Sequence, residues 1–520
     1  MRLHAKVVVL AVALILTTSN ALGQDFQMME TSISDIHRAM QSGKLTCRSL
    51  VQRYLDRIKA YDQQGPAINA MLYVNPKALE QAEAMDKAMK RGAQLKPLQC
   101  IPLVLKDNFD TADMPTTGGS LALKGMQPAK DAFTVMRLRQ AGALILGKTN
   151  MHELAITGIT MSSLGGQTKN PYELTRTPGG SSGGTGAALA ANFAVVGTGS
   201  DTVNSIRSPS SANSLVGIRP TRGLISRAGI IPCSFTQDVG GPITRTVADA
   251  AVMLDVMAGY DPDDAVTALG VGKIPQTYTA FLDRTALKGA RIGVLRTLFG
   301  SAPINQEVNR VMAGALEVLK QQGATLVEVS DPAFDTGMLA SDLDVQKYEY
   351  KFVFNNYLKT VPNPPVHSLA EFIATGNYHK PTLEKFLASA EAQKDGLNEP
   401  EYKDRRVRLD DLRVRLANAM AKDNLVALVY PHQKRLPVMI GDLNQAERNG
   451  ILASITGFPA ITVPAGFSTP TASAPIGVPV GIEFLGQPFS EPQLLKMAYS
   501  FEQATHARKP PQSTPPLSSR

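Results

Sequence analysis

Three residues far apart in the chain, Lys106, Ser181 and Ser205, have the side chains and settings for acyl transfer without histidine. Ser205 follows the apolar run "FAVVGTG", on a turn where an exposed hydroxyl and several backbone N–H groups can converge. Lys106 closes the short apolar segment "IPLVL", which favours burial of its amine. Burial disfavours the ammonium form and moves the pKa down from about 10.4, toward a value where neutral amine accepts a proton. Ser181 lies in "TRTPGGSSGG", Thr175 to Gly184, a stretch with very little side chain. It can pass a proton between the Lys106 amine and the Ser205 hydroxyl.

Two other motif matches fail on context. "GALILGKT", Gly142 to Thr149, fits the phosphate-loop pattern. Such a loop must follow a strand and offer bare amides, whereas Ala143, Leu144, Ile145 and Leu146 look like the buried strand itself. "GSSGG", Gly180 to Gly184, fits G-x-S-x-G with Ser182 as nucleophile. That elbow needs an apolar strand directly before it, and "KNPYELTRTP" is polar and broken by proline. His367, His379, His432 and His506 follow, none in an evident acid–histidine context.

The elements that must position these residues are legible in outline. Apolar spacing between Ile33 and Lys90 reads as helical, with Ser34 as a cap, a break at Gly43, and a helix opened by Asn75-Pro76 and closed by Gly92. Beyond it, short apolar runs alternate with helical stretches ("IPLVLKD", "GALILGKT", "FAVVGTGSD", "GARIGVLRT", "ATLVEVSD", "NLVALVYP"), which argues for an α/β fold with a large central sheet. Residues 300–423 are more helical and charged and read as an elaboration that shapes the pocket. The tail 509–520 is rich in proline and serine and reads as disordered. One catalytic domain, 24–508, is expected.

Composition excludes more than it selects. The chain has 520 residues, 43% hydrophobic and 19% charged, as in a globular protein with a sizeable core. A net charge of +8 with bases scattered among acids argues against nucleic-acid binding; in "EPEYKDRRVRLDDLRVRLANAMAKD" the arginines alternate with Asp404, Asp410 and Asp411, as on a solvated helix. Arg2 and Lys6 precede an apolar run from Val7 to Leu16, and either Ser19-Asn20-Ala21 or Ala21-Leu22-Gly23 suits a signal peptidase. Residues 1–23 thus read as a cleavable signal peptide, with a secreted or periplasmic product and no stable membrane insertion after cleavage. Cys47, Cys100 and Cys233 are too few for a disulfide framework, though one pair can form in an oxidising compartment. No C-x-x-C or H-E-x-x-H occurs, so neither a metal site nor a cofactor is expected.

At Lys106, Ser181 and Ser205 the sequence resembles the amidase signature family, and the separations among the three agree with it. The likeness extends through "AGALILGKTNMHELA", "GGQTKNPYELTRTPGGSSGG", "LVGIRPTRGLISRAGIIPCSFTQDVGGPITRTVADAA" and "ITGFPAITVPAG", in family order, from about Ile33 to Arg508. It implies an α/β fold with a large mixed, twisted central β-sheet covered by helices on both faces. It also implies Ser205 as nucleophile, Ser181 as a bridging serine in a cis peptide, and Lys106 as base. Backbone N–H groups of Thr202, Val203, Asn204 and Ser205 would hold the oxyanion, Asp201 and Arg207 would brace the turn, and Ser182 would support it. Gly179 and Gly180 would let the chain pass close to substrate, and Ala155 falls where relatives line the acyl pocket. One departure stands out: many members carry two glycines before the nucleophile, where this chain has Val203-Asn204. The Asn204 side chain could then donate a hydrogen bond, narrow the leaving-group side, or point away.

Among family branches, "INAMLYVNPKALEQA", "GGSLALKG", "QKYEYKFVFNNYLK" and "HSLAEFIATGN" look most like the bacterial peptide amidases. The resemblance implies an amidase acting on C-terminal peptide amides or small aryl and alkyl amides; the N-terminal segment makes it an exported one, and a monomer or homodimer is expected. An esterase or carbamate hydrolase on the same triad is the alternative, and an inactive binding protein on this fold is a third reading that a serine-reactive fluorophosphonate probe would separate.

Overall fold

Short apolar runs bounded by glycines and polar turns become strands throughout the computed structural model, which describes residues 26–517. The expected signal peptide, residues 1–23, lies outside the described residues. The strands are β1 (Met71–Val74), β2 (Pro102–Lys106), β3 (Leu144–Thr149), β4 (Met161–Ser162), β5 (Gly166–Gln167), β6 (Val196–Asp201), β7 (Val216–Arg219), β8 (Val239–Thr244), β9 (Arg291–Leu295), β10 (Thr325–Val329), β11 (Ala427–Pro431), β12 (Ala460–Phe467) and β13 (Pro479–Leu485). Eleven form one sheet in the order β1-β3-β2-β6-β8-β7-β12-β13-β11-β9-β10, while β4 and β5 make a small separate ribbon. The sheet is mixed: β2 runs parallel to β3 and β6, β9 parallel to β10 and β11, and the remaining pairs are antiparallel. Helices flank it, as the resemblance implies.

Strands β2, β3, β6, β7, β8, β11 and β13 are buried along their whole length, as expected of strands covered on both faces. The "GALILGKT" segment is β3, a central strand and not a phosphate loop.

The helical reading of residues 33–90 needs two corrections. Ser32, not Ser34, caps the first helix (Ile33–Gln41), because only Ser32 exchanges side-chain and backbone hydrogen bonds with Asp35. Between the helices Cys47–Tyr61 and Ala78–Lys90, "MLYV" forms strand β1, which pairs antiparallel with β3; the open sheet edge wins over helical spacing. Cys47 and Cys100 form a disulfide with their Cα atoms 5.4 Å apart, tying the second helix to the loop before β2. Residues 300–423 include β10 and the helix Gln306–Gln321, both built onto the main sheet. The helical part proper begins after β10. The expectation of a disordered tail is overturned for residues 509–517. Arg57 donates to the carbonyls of Thr514 and Pro515, both at 2.8 Å, Tyr172 donates to Lys509 O at 2.6 Å, and Ser513 donates to Pro171 O at 2.6 Å. Side chains thus supply the hydrogen bonds that a proline-rich segment does not make in a helix or strand. Among the described residues no helix is long and apolar enough to cross a membrane.

Candidate active site

Parallel strands deliver their C-terminal ends to one edge of a sheet, where open α/β folds place their sites. Here β2 ends at Lys106 and its parallel neighbour β6 ends at Asp201, four residues before Ser205. Lys106 is fully buried, and its Nζ lies 2.7 Å from Ser181 Oγ, 2.8 Å from Ser200 Oγ and 3.2 Å from Ser200 O. Burial pulls the amine down to about 7, against weaker opposing pulls from Cys233, Asp201 and Asp238. Near neutral pH a large share of Lys106 is therefore free amine. Ser200 was not anticipated from the sequence. Its hydroxyl also accepts from Asn108 Nδ2 at 2.9 Å, so the lysine sits in a fixed polar cradle. The only sequence signal for it is a hydroxyl at the end of β6.

The glycine-serine stretch crosses in front of this lysine, and the Gly180–Ser181 peptide is cis. Its carbonyls and amides are tied down on both sides. His152 N donates to Ser181 O at 2.9 Å, Thr160 Oγ1 donates to Gly179 O at 2.6 Å, and Ser182 N donates to Ser205 O at 3.2 Å. Ser182 Oγ donates to Ser200 O at 3.3 Å. Gly179 adopts φ +72°, and a Cβ there would stand 2.9 Å from the Ser208 carbonyl oxygen, so only glycine fits.

The turn after β6 is braced from below. Arg207 donates to both Asp201 oxygens (3.1 and 3.2 Å), and Arg219 donates to Asp201 O at 2.6 Å and Oδ1 at 3.0 Å. Burial works to raise the Asp201 carboxyl, but the two guanidiniums overcome it and hold the group well below the usual carboxylate range. Arg207 also donates to Val203 O at 2.8 Å and to Glu483 Oε1 at 2.6 Å. His432 pairs with that same Glu483 at 2.5 Å, so an acid–histidine pair does exist. It serves the Arg207 brace and touches no serine of the triad.

Thr202 donates to Asp238 at 2.6 Å and accepts from Gln237 at 3.3 Å. The N–H groups of Val203, Asn204 and Ser205 have no hydrogen-bond acceptor among the described residues. Three free donors on one turn beside a serine form the pattern of an oxyanion hole. Asn204 does not point away: its Nδ2 donates to Gly180 O at 3.0 Å, locking the turn to the cis loop.

Lys106 and Ser181 are thus joined directly, whereas Ser205 meets the pair through backbone. Its hydroxyl has no hydrogen bond among the described residues and it is 5% exposed. Ala155 is buried at φ +60° and packs in an apolar cluster with Leu154, Cys233, Tyr350 and Phe354. A cavity of about 790 Å³ adjoins the lysine side; Ser200, Thr202, Cys233 and Asp238 form one wall, Val353 and Tyr357 another.

A buried lysine on a serine relay, on the edge of a mixed eleven-stranded sheet, defines a class of α/β hydrolases that act on amide C–N bonds. The Amidase family model matches residues 49–495, and the chain belongs to the amidase signature family. Peptide amidase from Stenotrophomonas maltophilia superposes with a TM-score of 0.84 at 38% identity, over 94% of this chain and 99% of that one. A probable amidase of Arabidopsis thaliana is 36% identical over 97% of this chain and 96% of its own. The A subunit of glutamyl-tRNA(Gln) amidotransferase from Alkaliphilus metalliredigens is 33% identical over 91% and 96%.

Proposed function

We propose that this chain is an exported amidase that releases ammonia or a small amine from C-terminal peptide amides or small aryl and alkyl amides. The observation that carries the reading is the Lys106 amine, brought near neutrality by burial and 2.7 Å from Ser181 Oγ, beside a turn with unpaired N–H groups. Ser205 attacks the amide carbonyl while Ser181 takes its proton and passes one to neutral Lys106. Charge developing on the carbonyl oxygen is held by N–H groups of the turn Thr202–Ser205, each worth roughly 100- to 1000-fold in rate. The lysinium, working back through Ser181, protonates the departing amine and leaves an acyl group on Ser205. Water then repeats the relay, the acid leaves, and the serine is regenerated.

The peptide-amide substrate class rests on the 38% identity to a peptide amidase over nearly the whole chain. Export rests on the basic and apolar N-terminus, and the Cys47–Cys100 disulfide fits an oxidising compartment. The test is release of ammonia or amine from peptide amides beside an anilide and a carbamate, with Ser205→Ala and Lys106→Ala as controls. Turnover of peptide amides that both variants lose is the expected result. Turnover of the anilide or carbamate alone overturns the substrate class while leaving the triad standing. An inert enzyme that a fluorophosphonate does not label overturns the triad. N-terminal sequencing of the secreted protein checks cleavage near residue 23.

A further inference from the structure

Arg448 is the cation of this site that pairs with no carboxylate; the field of Asp201 reaches it without contact. Around the turn, two carboxylates (Asp201 and Glu483) face two guanidiniums (Arg207 and Arg219). The Arg448 side chain makes no hydrogen bond and no ion pair among the described residues. It is nonetheless half-buried, and burial pulls the group down to about 10, leaving it protonated at neutral pH. The fold aims it inward. Glu447 before it adopts a left-handed φ of +59°, and Gly450 after it packs against the oxyanion turn, where a Cβ would stand 2.4 Å from Val203 O and 2.6 Å from Asn204 Cβ. The guanidinium itself lies on the bare backbone of Gly158. A Cβ on Gly158 would stand 2.2 Å from Arg448 Nη1 and 3.6 Å from Gly180 O, which places the charge beside the cis-serine loop. Its field also helps keep His152, behind that loop, neutral.

The guanidinium nitrogens of Arg448 still reach solvent, so the group is held at the site wall and free to pair with an incoming anion. We propose that Arg448 is a specificity residue that binds a carboxylate on the acyl part of the substrate, so that the enzyme prefers amides of acidic acyl groups. This deepens the amidase reading above and rests on it. The acyl side is favoured because a terminal amide leaves as ammonia, so any carboxylate that such a substrate carries lies on its acyl part. Guanidinium–carboxylate pairs are bidentate and charge-assisted, so a neutral isostere is a sharp control.

The experiment compares kcat/KM for matched acetyl-peptide amides ending in glutamic acid, glutamine and lysine α-amides, and for an acetyl-peptide whose leaving amine carries the carboxylate. The wild type should favour the glutamic over the glutamine amide by about tenfold or more. Arg448→Met should bring that ratio close to one, and Arg448→Glu should shift preference toward the lysine amide. A wild-type ratio near one, a ratio that Arg448→Met leaves intact, or a preference confined to the carboxylate on the leaving amine each overturns the assignment. These outcomes are separable from failure of the amidase reading itself, in which no amide of the series releases ammonia.

Discussion

At the scale of single residues, the chemistry turns on how far burial moves one amine. Lys106 has no carboxylate against it; its contacts are serine oxygens, so desolvation dominates and the neutral form is accessible. In the proposed mechanism the base is the free amine, so kcat/KM should rise with pH through about 7 and fall about tenfold per pH unit below it. Asp201 and His152 do not mimic this limb: Asp201 stays ionised and His152 stays neutral, its burial pulling it down to about 3. Asp110, raised by burial to about 7, lines the lysine-side cavity, hydrogen-bonded to Tyr357, so the limb should persist in Asp110→Asn. A pH–rate profile in which the limb vanishes with Asp110 would assign it to the wrong residue here. Lys106→Ala should cost on the order of 10² to 10⁴ in kcat.

Elements matter because the helical segment holds the turn. The helix Gln346–Leu358 contributes Glu349, whose buried carboxylate accepts from Ser234, from Thr236 (hydroxyl, and N–H at 3.1 Å) and from Tyr402 at 2.9 Å. Two residues beyond Thr236, Asp238 receives the N–H groups of Cys233 and Ser234 at 2.7 and 2.8 Å and the Thr202 hydroxyl. Val345 N donates to Gln237, which in turn donates to Thr202 O. The helix is thereby two hydrogen-bonded steps from the N–H groups beside Ser205. Glu349→Gln should lower stability by about 1–3 kcal/mol in denaturant unfolding, since three hydroxyls lose their charged acceptor. It should also lower kcat more than it changes KM. Reduced stability with unchanged kcat would make Glu349 a core residue without influence on the turn.

At the scale of the whole molecule, the first and last described segments meet. Arg508 pairs with Glu30 at 2.6 Å, and residues 509–517 run past Arg57, giving it two of its four carbonyl acceptors. Truncation after Arg508 should leave Arg57 half-satisfied and cost about 1–3 kcal/mol, read as a lower thermal midpoint; an unchanged midpoint would mean the tail is dispensable to the fold. Much of this architecture was legible beforehand. The apolar runs that became β2, β3 and β6, and the polar, proline-broken approach to Ser182, depend on local chemistry that sequence carries directly. The meeting of Lys106 and Ser181 was likewise expected, because the residue types and the family segments around them are specific. What sequence spacing could not disclose was which other groups would meet. Glu483 reaches Arg207, Ser200 reaches Lys106, Glu349 reaches Thr236 and Arg448 settles on Gly158 only when distant strands and turns pack together. Periodicity and propensity act over a few residues, whereas pairing of buried charges and the lowering of a lysine's pKa arise from solvent exclusion by the assembled fold. The sequence alone determined the strands and which candidate side chains they carry; the tertiary structure decided the charge states and partners of those side chains.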